Sequence, residues 1–306
     1  VQTTLRHSVE FKGTGLHSGR PVVLRILPAP ADHGIVFHRT DVAEADASVP
    51  ALWDQVDRSP LCTRLENARG TTVSTVEHVM AALCGCGIHN ARLELSGPEV
   101  PILDGSSLPF VRGLINAGRE RLDAPMRAIE ILRPVEVSNG DATASLEPAD
   151  AMVVQFRIEF SDEAIGLQEK ELLLSNGTFA RELCDSRTFC RQRDVDAMRA
   201  NGLARGGTLR NAVVFEGDAI LSPGGLRHSD EPVRHKMLDA VGDLALAGAP
   251  ILGKYIGHKA GHSLTNTLLR ELFSRPDAWR YVELTEDQRA LLPGAGVKEA
   301  DICAFA

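Results

Sequence analysis

His235, Asp239 and Asp243 stand at steps of four in the stretch VRHKMLDAVGDLAL, residues 233 to 246. Residues four apart share one face of a helix, so an imidazole and two carboxylates project together there. A hydrolytic zinc site needs three protein ligands and one open position for water. His235 and Asp239 can supply two ligands from one face, and the third must come from elsewhere in the chain. His78 is the natural candidate, because Glu77 beside it offers the general base that such a site next requires. No HExxH run is present, so the common zinc-protease arrangement is excluded.

The same residues admit a plainer reading. Ser74-x-x-Glu77 fits a capping box, in which Glu77 closes a helix N-terminus and His78 is a partly buried side chain. Asp239 and Asp243 could be solvated carboxylates with Arg234 and Lys236 as counter-charges. In GHKAGHSLTN, residues 257 to 266, a histidine beside a carboxylate such as Asp243 would hold its proton and serve as a general acid; the alternative is a pair of surface histidines. GTGLHSG, with His17, lacks the phosphate-loop pattern, and Asp104-Gly105 in PILDGSSLPF reads as turn chemistry before a serine-capped helix.

The elements that would position these groups follow from periodicity. PVVLRIL (21 to 27) and GIVFHRT (34 to 40) alternate as strands, and their proximity predicts a hairpin. A helix is expected from Ser74 to Cys84, a strand over 90 to 96 and a helix over 108 to 117. The charged, proline-containing RERLDAPMR (119 to 127) is the expected linker. Beyond it AIEIL, VEVS, ATASLEP and MVVQFRIEF read as strands, and a helix over 231 to 247 leads into the apolar PILGKYI. Each half places a Val-x-His tripeptide at the start of a helix that a strand follows, which suggests a structural duplication.

The chain's 306 residues suffice for two domains with cores of their own, and the formal charge of −8 argues against a nucleic-acid binder that works by neutralising phosphates. There is no secretory h-region at the N-terminus and no window long and apolar enough for a membrane span, so a cytoplasmic protein is expected. Six cysteines (62, 84, 86, 184, 190 and 303) form no CxxC pair, and Cys84-x-Cys86 reads as packing at a helix end.

Taken together and in order, GLHSG, STVEHVMAAL, PILDGSSLPF, SRTF, VRHKMLDAVGDL and HKAGHSLTN resemble the UDP-3-O-acyl-N-acetylglucosamine deacetylases, zinc amidases of the committed step of lipid A synthesis in Gram-negative bacteria. The resemblance implies an α+β fold of two similar α/β sandwich domains, 1–122 and 127–306. They would pack helix to helix with the active site between them, and a βαβ insert at 189–215 would wall an acyl channel. It implies zinc on His78, His235 and Asp239, with iron(II) also acceptable to such ligands. Glu77 would be the base, His262 the protonated partner held by Asp243, and Thr188 a hydrogen-bond donor to the tetrahedral intermediate. Lys236, Lys259, Phe160, Glu159, Phe189, Leu61 and Cys62 would contact the nucleotide sugar and its acyl chain. The expected partner is that small molecule alone, bound by a monomer with no nucleic acid and no transmembrane segment. Two alternatives stay open: a zinc amidase on another acetylated sugar, and a non-catalytic lipid or nucleotide-sugar binder.

Overall fold

A computed structural model describes residues 1–57 and 61–302; Cys303, and Ser59 and Pro60 just before Leu61, lie outside the described residues. The fold is mixed α and β, and its order of pairing occurs twice. In the first half the hairpin Val9–Thr14 and Pro21–Pro28 pairs antiparallel, through its second strand, with Ala91–Leu95. That central strand pairs parallel with Ile35–Arg39, which pairs antiparallel with Ser48–Pro50. In the second half the hairpin Val135–Asn139 and Ala142–Pro148 meets Ile251–His258 in the same way. Ile251–His258 then pairs parallel with Met152–Glu159, which pairs antiparallel with Leu167–Leu173. Arg127–Ile131 and Trp279–Glu283 extend this second sheet at the start of its central strand.

Each central strand is flanked in the chain by helices. Helices α1 (Glu77–Gly85) and α2 (Leu108–Ala117) flank the first. After the short α3 (Thr178–Glu182) and α4 (Gln192–Ala200), helices α5 (Glu231–Ala245) and α6 (His262–Ser274) flank the second. A parallel pair needs a long crossover, and α1 and α5 lie in the two crossovers. No helix is long and apolar enough to cross a membrane among the described residues.

Alternation sets which faces meet. Val22, Leu24 and Ile26 on one strand and Ala91, Leu93 and Leu95 on its neighbour point inward, while Arg92 and Glu94 face outward. Met152, Val154, Phe156 and Ile158 do the same in the second sheet. Each of these side chains larger than alanine contributes roughly 1.5 to 3 kcal/mol by leaving water. Helix α1 is buried on every side except at Cys84, the pattern of a helix packed within a core. A glycine of α5 lets the two helices come close: a Cβ added to Gly242 would stand 2.0 Å from the Glu77 carbonyl oxygen of α1.

Three local expectations are corrected. Residues 21 to 28 and 35 to 39 are not a hairpin, since Ala91–Leu95 inserts between them. The capping box at Ser74 does not form: Thr72–Ser74 is a strand, Thr75 turns the chain at φ 59°, and Val76 begins the helix without a side-chain cap. The charged stretch from Arg119 is not all linker, because Arg119–Arg121 pairs antiparallel with Thr3–Leu5. In each case a partner distant in sequence overrides the local signal.

The segment 189–215 contains the strand Phe189–Arg191, α4 and the strand Val213–Glu216, the two strands running parallel. Backbone bonds tie this insert to loops of the first half. Thr188 N donates to Gly105 O at 2.8 Å, Gly206 N to Leu16 O at 2.9 Å and Arg205 N to His17 O at 3.4 Å.

Candidate active site

His78 and His235 enter from α1 and α5, their rings edge to face with centroids 5.0 Å apart. Asp239 follows His235 by one turn, and its Oδ1 lies 3.2 Å from His235 Nε2 and 3.6 Å from His78 Nε2. One ligand atom from each of the three comes within 4.8 Å of the others, and all three residues are buried. The other nitrogen of His235 sits 3.0 Å from the Ser186 carbonyl. A carbonyl only accepts, so Nδ1 carries a hydrogen and Nε2 is the nitrogen left to face inward.

Burial pushes His78 below the usual imidazole value, which favours its neutral, ligating form. Burial pushes Asp239 upward, yet the imidazole of His235, the Lys236 ammonium and His262 outweigh it and hold the carboxyl well below its usual range. Asp239 Oδ1 is buried without a hydrogen-bond partner among the described residues. Two imidazole nitrogens and a carboxylate whose Oδ1 is unpartnered fit a divalent first-row ion.

Glu77 and His262 complete the cluster. Glu77 is 3% exposed, and burial raises its carboxyl to about 7 despite the opposing pull of His262. Its carboxylate is engaged away from Ser74: Oε2 accepts from the Thr63 amide at 3.1 Å. Oε1 lies 3.8 Å from His262 Nε2. His262 begins α6, and its Nδ1 is 2.8 Å from Asp243 Oδ2. Burial opposes a charge on this ring, but Asp243, Glu77 and Asp239 together lift it to about 10. The result is a protonated imidazole facing a carboxylate that titrates near neutrality.

Part of this cluster opens onto a cavity of about 770 Å³. His235, Lys236, Asp239 and His262 lie on its wall with Thr188, Phe160, Phe189 and Leu61. The wall continues along the insert through Val195, Met198 and Leu209. Phe189 stacks edge-on against Phe160 at 5.7 Å and His235 at 6.3 Å, so the apolar wall begins beside the ligand cluster. Lys236 Nζ is 3.2 Å from Asp239 Oδ2.

The remaining expected residues lie off this wall. Lys259, in a left-handed turn at φ 50°, reaches Asp141 at 2.7 Å and Glu159 at 3.1 Å. Cys62 is buried, 5% exposed, next to Leu61. Sequence reasoning left His17 without a role, yet it lines the cavity, and its loop is held by Glu99, whose carboxylate accepts from the His17 and Ser18 amides at 2.8 Å each. Thr63, Ser186 and Ser107, whose hydroxyl donates to the His78 carbonyl at 2.8 Å, escaped notice as well. Backbone-directed bonds of this kind leave no signature in residue type.

A His-His-Asp ligand set flanked by a carboxylate and a hydrogen-bonded imidazolium, at one end of a largely apolar cavity, is the equipment of a metal-assisted hydrolase. The family model described as UDP-3-O-acyl N-acetylglycosamine deacetylase matches residues 2–274. Curated proteins named UDP-3-O-acyl-N-acetylglucosamine deacetylase are similar over nearly their whole length. That of Phenylobacterium zucineum is 51% identical over 286 residues, covering 94% of this chain and 98% of the relative. That of an Anaeromyxobacter species is 47% identical over 287 residues (94% and 93%). That of Shewanella oneidensis is 44% identical over 291 residues (94% and 95%). The chain belongs to the UDP-3-O-acyl N-acetylglycosamine deacetylase family.

Proposed function

We propose that this chain hydrolyses the N-acetyl group of UDP-3-O-acyl-N-acetylglucosamine, releasing acetate and UDP-3-O-acyl-glucosamine, the committed step of lipid A biosynthesis. The observation that carries the reading is the pairing of Glu77 with His262 beside His78, His235 and Asp239 at the end of an apolar cavity. An amide resists hydrolysis because its carbonyl is a weak electrophile and its nitrogen a poor leaving group. A zinc ion held by His78, His235 and Asp239 would supply Lewis-acid chemistry at neutral pH.

The chain's own groups do the rest. Glu77 accepts the proton of the attacking water at Oε1, the oxygen that faces His262. The imidazolium of His262 acts in the opposite sense, since Nε2 donates to the departing nitrogen while Nδ1 stays bound to Asp243. Thr188 and Lys236, on the cavity wall, offer donors to the charge that develops on the carbonyl oxygen. The aromatic pair Phe160 and Phe189 and the apolar face of the insert exclude water and receive the acyl chain. Lys259 and Glu159 form the charged edge we assign to the nucleotide, and Leu61, on the cavity wall beside the buried Cys62, we assign to the sugar and its acyl chain.

Residues 1–122 and 127–306 form the two domains in this reading, and the enzyme works as a cytoplasmic monomer, where nucleotide sugars are made. The test is metal content and acetate release from the chain beside Asp239→Ala and Glu77→Ala. One metal per chain, lost in Asp239→Ala and kept in a Glu77→Ala variant slowed about 10²- to 10⁴-fold, is the expected result. A metal-free chain that releases no acetate would overturn the reading and leave a binding protein.

A further inference from the structure

Thr63 touches both arms of the acid–base pair. It is 3% exposed and immediately precedes the strand Arg64–Glu66, whose pairing with Thr72–Ser74 fixes its backbone. Its carbonyl accepts from Val76 N at 3.3 Å, at the start of α1. Its amide donates to Glu77 Oε2 at 3.1 Å. Its hydroxyl donates to Asp243 Oδ1 at 2.5 Å, across 180 residues of sequence.

Two carboxylates are thereby oriented at once. With Oε2 of Glu77 bound to the amide, Oε1 is the oxygen that faces His262. With Oδ1 of Asp243 bound to the hydroxyl, Oδ2 is the oxygen that meets His262 Nδ1. Asp243 is 3% exposed, so a lost hydroxyl leaves a buried carboxylate oxygen short of a donor and free to rotate. Rotation carries the His262 ring with it. Glu77 belongs to α1 and Asp243 to α5, so their separation depends on how the two helices sit. Among the described residues Thr63 alone is seen to hydrogen-bond both.

We propose that Thr63 is a positioning residue for the deacetylation, holding the spacing of Glu77 and His262 by binding Glu77 and Asp243 together. The inference rests on the deacetylase reading of the site, so wild-type acetate release is measured first; its absence would sink that reading, independently of Thr63.

On active enzyme, Thr63→Val keeps the shape and the amide but removes the hydroxyl. The expected result is a kcat lowered about 10- to 100-fold, with KM within about threefold and metal content unchanged. Thr63→Ser, which restores the donor, recovers kcat to within about threefold of wild type. In an Asp243→Ala background Thr63→Val has no further effect, because the bond it removes is already gone. Should Thr63→Val fail to fold, Thr63→Ala beside Thr63→Ser carries the same comparison. The proposal is overturned if the hydroxyl-free variant keeps wild-type kcat, if serine does no better than valine or alanine, or if the losses at 63 and 243 multiply independently. A loss of metal that parallels the loss of turnover would also overturn it, since Thr63 would then be supporting the ligand cluster.

Discussion

Gly242→Ala tests how finely the α1–α5 crossing sets the chemistry. The new Cβ would stand 2.0 Å from the Glu77 carbonyl oxygen and 3.0 Å from its Cα, both backbone atoms of the facing helix. Moving from 2.0 Å to the 3.4 Å at which ordinary contact begins requires about 1.4 Å of separation. That displacement falls between Glu77 and His78 on one side and His235, Asp239 and Asp243 on the other. A misplacement of about 1 Å in a catalytic constellation costs on the order of 10²-fold in rate, and overpacking destabilises by about 1 to 3 kcal/mol. Acetate release at several substrate concentrations, metal content and the urea midpoint are measured on the same preparation. The expected outcome is kcat/KM lowered about 100-fold in a protein that still unfolds cooperatively. Gly253→Ala, whose Cβ would meet Ile131 Cγ1 at 2.6 Å within the second sheet, is the matched control: stability falls and turnover stays. If Gly242→Ala retained kcat/KM within threefold with full metal content, the helix crossing would not be what fixes the site.

Other perturbations probe independent features. Dialysis against a chelator removes acetate release, and one equivalent of zinc restores it; iron(II) restores it too, as the two-imidazole, one-carboxylate set accepts both, whereas turnover that survives complete chelation would exclude the metal reading. A substrate without its 3-O-acyl chain leaves the wall of Phe189, Val195 and Met198 unfilled and loses roughly 10²-fold in kcat/KM; equal turnover of both substrates would remove the acyl channel from the account. His89 reports on stability in acid. Burial lowers its imidazole to about 4, and its Nδ1 accepts from the Thr3 amide at 3.2 Å, which needs the neutral ring. Between that value and the unfolded value near 6.5 the unfolded chain binds more protons, so this contribution is whole above about pH 6.5 and declines by up to about 3 kcal/mol toward pH 4. In urea titrations His89→Asn, which keeps an acceptor and cannot protonate, shows a shallower decline; parallel curves would refute it.

That His78, His235 and Asp239 come together was legible because these residues are few, chemically distinctive and regularly spaced. His235 and Asp239 share a helical face, and His78 and Glu77 are adjacent in the chain. The strands were equally plain, since Val22, Leu24 and Ile26 alternate with residues that face outward. What stayed hidden was pairing at a distance. Nothing in residues 21 to 40 announces that Ala91–Leu95 will slip between two neighbouring strands, because strand order is decided by the crossover that α1 completes. Nor could composition assign Glu77: a serine three residues before it satisfies the capping pattern, and only the amide of Thr63 shows that its carboxylate is engaged elsewhere. Lys259 was recognisable as a charged group, but the turn at φ 50° that delivers it to Asp141 and Glu159 is a property of the backbone.

The stitches between the insert and the first half bear on how a long-chained ligand gets in. Thr188, Arg205 and Gly206 are each tied by a main-chain bond to a loop of the other half, at Gly105, His17 and Leu16. A flap swings because one edge is unattached; here main-chain bonds hold the wall at Thr188, just before the insert, and at Arg205 and Gly206 within it, and such bonds cannot be remade by a rotamer change. The wall therefore belongs to a tunnel more than to a door. On the deacetylase reading proposed above, an acyl tail would thread along this wall, and supple linings such as Met198 would absorb differences in its size.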